Sequence, residues 1–361
     1  GIGFIDDQRS RIRRGQSSDV QNRDRSAPGH PSLIVTAHLM ATSVVLLMRK
    51  PLPGQHSVER VFRGVAANLP ADISIDVVTV PFVSRGLLRR VGNMLFAASL
   101  RPDVVHVTGD SQYCSILIRR RRSLLTVLDL TSLRRLSGWR RSVLVWVWYR
   151  IPCRRTRTVT TISESTRDEL VELHPPLAAK SLVVPCPIAD EFLGEHPHHA
   201  PNVPPEILLV GTSANKNLTR VLKALTGLPV KLRVIGLLND EQRSALDLSG
   251  LDVENTANLS DDDLLDAYVR CDIVLFASLY EGFGLPIIEA QAIGRPVITS
   301  NTASMPEVAG LGAILVDPLD ESEIRNAVTS LLESAPLRES LTTHGAANVG
   351  RFAPSVIAEQ Y

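Results

Sequence analysis

The sequence predicts an α/β protein built from two parallel-sheet halves that face each other across a cleft. Three observations carry this. Short Val-, Ile- and Leu-rich runs alternate with segments of helical period along most of the chain, the pattern of parallel strands covered by helices. A polar stretch rich in proline and histidine divides that alternation into two series. The chain has 361 residues, more than the ~250–300 at which single cores stop growing.

The first 39 residues are rich in Arg, Asp, Ser, Gln and Gly and lack hydrophobic periodicity, so 1–39 is expected to be a disordered extension, with the fold beginning near Met40. No apolar core followed by a small-residue site stands there, which argues against a secretory signal. Strands are expected at 43–48, 73–80, 103–107, 123–128, 158–162 and 181–184, and helices at 57–68, 86–98, 140–150 and 165–173. Together they make an N-terminal domain over 40–192. The linker is placed at 193–205, where His196, His198 and His199 flank Pro197 as a polar connection rather than a metal site. A second series follows, with strands at 206–210, 231–235, 272–276, 296–299 and 313–316 and helices at 217–226, 261–269, 286–293 and 320–333. It makes a C-terminal domain over 206–345. The last segment, 346–361, is expected to return toward the first domain as a helix, short as a truncated end would be.

The most informative stretch is Leu279-Tyr-Glu-Gly-Phe-Gly-Leu-Pro-Ile-Ile-Glu289. The apolar, β-prone run Cys271–Ala277 before it reads as a buried parallel strand. Gly282 and Gly284 allow a sharp turn that brings backbone N–H groups close to a ligand, and Pro286 suits the first helical turn. A helix start of this kind binds anions, phosphate above all. Glu281 stands at the carboxyl end of the strand, where ligands of open α/β sheets bind. Glu289 lies one turn into the helix and leans back toward the same crevice. Two acids beside a diphosphate repel it unless they are displaced toward hydroxyl groups, from which carboxylates accept readily. Phosphates flanked by two polyols describe a nucleotide sugar.

Glu281 to Ala290, continuing through Gly294-Arg-Pro-Val-Ile-Thr-Ser300 to Met305-Pro-Glu-Val-Ala309, resembles the E-x7-E region of retaining glycosyltransferases of family 4. The resemblance covers residues 157–320 well and 43–130 loosely. It implies the GT-B architecture, two Rossmann-like domains with the nucleotide-sugar donor held by the C-terminal one. It also implies that Glu281 lies against the donor sugar and that Glu289 holds the ribose hydroxyls. The turn of Gly282, Phe283, Gly284 and Leu285 would then face the diphosphate.

Other candidates follow from residues and resemblance together. Ile207 to Leu218 reads as strand, glycine, loop and helix start: Gly211 permits close backbone approach, Asn217 can cap the helix, and Lys216 points into the cleft mouth. With five lysines against thirty-four arginines, a lysine here is not background. A point cation suits a diphosphate leaving group whose charge grows as the glycosidic bond breaks. The family commonly sets a second basic residue beside this lysine; here Asn215 precedes it, and no second cation is assigned. Ser260 is expected to cap a helix with Asp263 at its third position, and the resemblance implies base contacts from backbone just before it. Ser304, Met305 and Glu307 read as support for the site, and Ser163 as a cap. In the N-terminal half, Gly54 matches the glycine loop that faces the donor phosphates. Many relatives carry His-Asp where this chain has Leu128-Asp129; Asp129 remains as an acceptor-side candidate, and His106 is not a safe substitute for the histidine.

A net charge of +1 conceals an asymmetry. Residues 101–160 hold thirteen arginines, three aspartates and all three tryptophans. Two readings fit the segment 119–157: peripheral contact with a membrane surface, or a core helix with a solvated basic rim. No run of 18 apolar residues exists to span a bilayer. Four scattered cysteines suggest neither zinc nor disulfides and fit a reduced, cytoplasmic setting at or near the inner membrane face. No G-x-G-x-x-G, P-loop or G-x-S-x-G pattern marks a dehydrogenase, an NTPase or a hydrolase.

The expected activity is hexose transfer from a nucleotide diphosphate sugar to an acceptor hydroxyl of a glycan, a lipid-linked acceptor or a small molecule, with retained configuration. No cofactor, metal or nucleic-acid partner is expected. A non-catalytic sugar-nucleotide-binding subunit and a sugar-nucleotide epimerase are the alternatives.

Overall fold

The computed structural model describes residues 41–50, 57–134, 136–197 and 200–361. The expectations on residues 1–39, Met40, Gly54, His198 and His199 lie outside them.

The first half runs β1 (Thr42–Met48), α1 (Ser57–Ala67), β2 (Ile73–Thr79), α2 (Leu87–Ser99), β3 (Val104–Val107), β4 (Ser123–Val127), α3 (Thr131–Arg134), α4 (Gly138–Leu144), α5 (Ile151–Arg155), β5 (Thr158–Thr161), α6 (Glu164–Leu173) and β6 (Ser181–Val183). Its parallel sheet has the order β2-β1-β3-β4-β5-β6. Right-handed crossovers then put α1 on one face and α2, α4, α5 and α6 on the other.

The second half runs β7 (Glu206–Val210), α7 (Leu218–Leu225), β8 (Lys231–Ile235), α8 (Asp240–Ser249), β9 (Asp252–Thr256), α9 (Asp261–Arg270), β10 (Ile273–Phe276), α10 (Leu285–Ala292), β11 (Val297–Ser300), α11 (Met305–Ala309), β12 (Ala313–Val316), α12 (Glu321–Glu333), α13 (Ala335–Val349) and α14 (Pro354–Ala358). Its order is β12-β11-β10-β7-β8-β9, again parallel. Strand order reverses between β7 and β10, where Ile273 pairs with Ile207 and Val274 with Leu208. The loops after these two strands therefore open side by side at a topological switch point.

Apolar runs become strands because both sheet faces are covered: all four residues of β10, Ile-Val-Leu-Phe, are buried. One core cluster crosses the halves. Ile162, Ile188 and Phe192 of the first join Phe283, Ile287 and Phe352 of the second. Ile188 N–H donates to the Phe352 carbonyl at 2.9 Å. Beyond it, Ile357 of α14 packs with Val65 and Val184 of the first half.

Three regions differ from expectation. α8 and β9 carry weak signals: β9 is an edge strand, Asp-Val-Glu-Asn-Thr, with a single aliphatic residue. α13 runs unbroken through the boundary expected at 345/346. The helix expected at 140–150 is a longer rod, 138–155, whose middle, Val145–Arg150, widens to π geometry. Pro152 has no N–H to give to the turn before it, and a local π segment accommodates that loss.

Candidate active site

After β7, Gly211 turns the chain with φ of 91° and donates its N–H to Ile235 O at 2.8 Å. A Cβ at this position would come within 2.8 Å of Lys216 Cε. The glycine thus makes room for the lysine stem. Lys216 Nζ lies 2.7 Å from Glu281 Oε1 and 4.2 Å from the centre of the Phe276 ring. Only 17% and 15% of the Lys216 and Glu281 side chains are exposed, so the pair is partly shielded from water. Asn215 knits the two loops: its Nδ2 donates to Glu281 Oε1 and to Tyr280 O, each at 3.0 Å, and its carbonyl accepts from Leu279 N–H at 2.7 Å. Asn215 is thus bound within the protein, orienting Glu281.

The turn into α10 is held from both halves. Gly284 adopts φ of 107°, open to glycine and costly for other residues. A Cβ on Gly282 would fall 2.4 Å from Leu128 O and 2.8 Å from Asp129 Cβ, so the first half lies directly against it. The Gly282 carbonyl accepts from Ser163 Oγ at 2.7 Å and from Thr166 Oγ1 at 3.3 Å. Ser304 Oγ shares its proton between Phe283 O at 2.8 Å and Glu281 O at 3.0 Å. Phe283 turns its ring into the core, edge-on to Phe352 with centres 5.6 Å apart, and Leu285 packs on the same cluster. The side chains of these two residues are therefore taken up by the core. Within the first turn of α10 the Ile287 N–H returns to Gly284 O at 2.9 Å and Pro286 has none to give, so the donors left without a helical partner are those of Leu285 and the glycine turn before it.

Glu289 is deeper than a surface acid, at 5% exposed. Tyr268 Oη on α9 donates to its Oε2 at 2.6 Å. Burial pushes the Glu289 carboxyl above the ordinary value, and Glu191 pushes the same way. The Tyr268 bond and the cations of Arg60 and Lys216 oppose them. Arg60, on α1, donates to Asp261 Oδ1 at 3.0 Å and to Glu191 Oε1 at 3.2 Å. Sequence reasoning missed both Tyr268 and Arg60. Tyr268 reads as an ordinary core aromatic, and the partners of Arg60 lie more than a hundred residues away.

In the first half, Asp129 Oδ1 accepts from Thr131 N–H at 2.8 Å and so holds the first turn of α3. Leu130 N–H donates to Tyr280 Oη at 3.4 Å, and the Arg134 guanidinium stacks 3.9 Å from the Tyr280 ring centre. His106 is buried beside Phe62 and Tyr361, 2.7 Å from Thr126 Oγ1. Burial drops its pKa to about 3, so it stays neutral and structural. Ser260 and Asp263 form the expected capping box, and Ser163 accepts from Thr166 N–H as a cap. Asn217 does not cap α7. It adopts φ of 61°, and its Nδ2 donates to Pro318 O at 2.6 Å and Ala277 O at 3.2 Å, tying the loop ends of three strands.

A two-domain GT-B fold carrying an acid–lysine pair and a helix start at its second switch point is the class defined here, and comparison with known proteins agrees. Residues 196–347, within the C-terminal half, match the family model described as Glycosyl transferases group 1. The O-antigen chain mannosyltransferase B of Escherichia coli is 26% identical over 224 residues, 54% of this chain and 57% of the relative. Serotype-specific mannosyltransferase WbdA of Escherichia coli is 37% identical over 97 residues, 27% of this chain and 12% of the relative. The chain thus spans about half of the first relative's length and a small part of the second's. Among solved structures, Anabaena HepE in complex with UDP and glucose superposes with a TM-score of 0.72 at 17% identity, over 88% of this chain and 98% of HepE. The lipopolysaccharide outer core galactosyltransferase WaaB gives 0.64 at 15% identity, over 88% and 97%. At such identities these likenesses establish the fold.

Proposed function

We propose that this protein is a retaining glycosyltransferase that moves a hexose from a nucleotide diphosphate sugar to an acceptor hydroxyl. The observation that carries the reading is the Lys216–Glu281 pair, 2.7 Å apart at the mouth of the switch point and beside the start of α10. When the bond from the anomeric carbon to the diphosphate breaks, charge grows on the leaving oxygens. Lys216 and the unpaired N–H groups of the Gly282–Leu285 turn stabilise it there, where partial shielding strengthens the attraction. Glu281, oriented by Asn215, accepts from hydroxyls of the donor sugar, and Glu289 accepts from the ribose through the carboxylate oxygen that Tyr268 leaves free. The positive charge is the protein's own, so the reaction is read as needing no divalent metal or cofactor.

The mannosyltransferase names of the relatives support a glycan acceptor in polysaccharide synthesis, met on the first-half side of the cleft near Asp129. A lipid-linked acceptor, a cytoplasmic setting and peripheral contact with the inner membrane face through 119–157 complete the reading. Among the described residues no helix is long and apolar enough to cross a membrane.

A thermal-shift screen against UDP-, GDP- and ADP-sugars identifies the donor, since ligand binding raises the melting temperature. With that donor, Lys216→Ala and Glu281→Ala are expected to lower turnover by about 10²–10³-fold with the fold intact. Near-normal turnover in both would remove the mechanism. A second reading has its own support: Leu128 stands where the resemblance places a histidine. Donor binding without any transfer or hydrolysis would make the protein a non-catalytic binding subunit.

A further inference from the structure

The tryptophan- and arginine-rich rod does not stand alone on its face of the first sheet. α2 is apolar on two sides. Asn93 and Ala97 face inward, whereas Leu87, Leu88, Val91 and Leu95 are exposed, Leu88 to 87%. Positions 88, 91 and 95 follow helical spacing and form one stripe opposite the buried face. The rod 138–155 repeats the arrangement: Trp139, Val143, Trp146, Val147 and Ile151 are exposed at intervals of three and four residues, Trp139 to 73%. Both belong to crossovers on the same side of the sheet. They also touch, since the Arg90 guanidinium of α2 stacks 4.7 Å from the Trp148 ring of the rod.

Charge decides what covers such a surface. Residues 82–101 and 138–155 contain nine arginines and no aspartate or glutamate. Arg140 and Arg150 lie 5.7 Å and 5.4 Å from the ring centres of Trp139 and Trp146, so cations border the apolar stripe directly. A second copy of the chain would set this patch against itself across a two-fold axis, arginine facing arginine. An anionic lipid surface suits every component. Leucine and valine enter the acyl boundary, indole rings sit at headgroup level, and guanidinium groups meet lipid phosphates.

We propose that α2 and the 138–155 rod together form a docking surface for an anionic lipid bilayer. The inference extends the membrane contact proposed above to a helix outside 119–157. It does not rest on the catalytic reading, because vesicle binding is measured without turnover, and loss of either leaves the other standing.

The test is co-sedimentation of the full chain with vesicles. The protein is expected to bind phosphatidylglycerol vesicles and not phosphatidylcholine vesicles, with binding weakened as salt screens the arginines. A Leu88→Glu/Leu95→Glu variant and a Trp139→Glu/Val143→Glu variant should each bind about tenfold or more weakly, since each replaces apolar groups that would enter the lipid. Because these side chains are exposed, unchanged melting temperatures certify folding of both variants. Failure of the wild type to bind phosphatidylglycerol overturns the proposal, as does equal binding to both lipids. Wild-type binding by the Leu88/Leu95 variant removes α2 from the surface. A dimer in analytical ultracentrifugation that this variant dissociates would assign the face to a second copy instead.

Discussion

Glu289 is an acid enclosed by opposing influences. Burial and Glu191 favour its neutral form, while Tyr268, Arg60 and Lys216 favour the carboxylate. Its raised pKa has two consequences of opposite sign. Its contribution to stability is full below the unfolded value and declines as pH rises through the folded one. Its capacity to accept from ribose hydroxyls requires ionisation, so nucleotide affinity should fall as pH drops through the same raised value. Calorimetric titration with the nucleoside diphosphate of the donor at falling pH should show that decline setting in above the pH at which ordinary carboxylates protonate, and Glu289→Gln should flatten it. A wild-type curve as flat as the variant's would refute the assignment. The spacing of Glu281 and Glu289 was legible in the sequence because both belong to one strand–turn–helix unit. Arg60 was not, because its neighbours are set by the docking of the two halves.

At the scale of elements, the Gly282 turn joins strand, helix and the opposite domain. The sequence reading accounted for this glycine by a sharp turn and close ligand approach. The fold gives it a further reason, the Leu128 carbonyl that a Cβ would meet at 2.4 Å. Gly282→Ala should therefore cost about 1–3 kcal/mol by displacing packed backbone, and it should weaken donor binding as well. Chemical denaturation together with nucleotide titration checks both; full stability would mean that the loop carrying Leu128 yields freely. Most buried strands were readable from short aliphatic runs such as Ile273–Phe276. Edge strand β9 was not, since one exposed side removes the demand for apolar residues. The π segment was hidden for another reason: Pro152 signals a broken helix, whereas the rod stays continuous by widening over Val145–Arg150.

On the scale of the whole molecule, α14 fastens the end of the described chain to the first half. Ile357 is fully buried against Val65 and Val184. Ile357→Ala should lower unfolding free energy by about 2–5 kcal/mol, measured by urea denaturation, although the residue belongs to neither sheet. Loss of less than about 1 kcal/mol would show the attachment to be slack. The two-sheet architecture was readable from alternation and the polar divide, whereas the contacts between halves were not, because they join residues of unrelated local pattern. One such contact, between Ile188 and Phe352, has a mechanical consequence. The outgoing and returning passages of the polypeptide are stitched together there by a backbone hydrogen bond, so the two crossings between the halves are tied to each other at that seam. Away from it the halves also meet where Glu307 grips the Glu164 amide at 2.9 Å, and separating them there would cost that grip together with the Ser163–Gly282 and Arg60–Asp261 bonds.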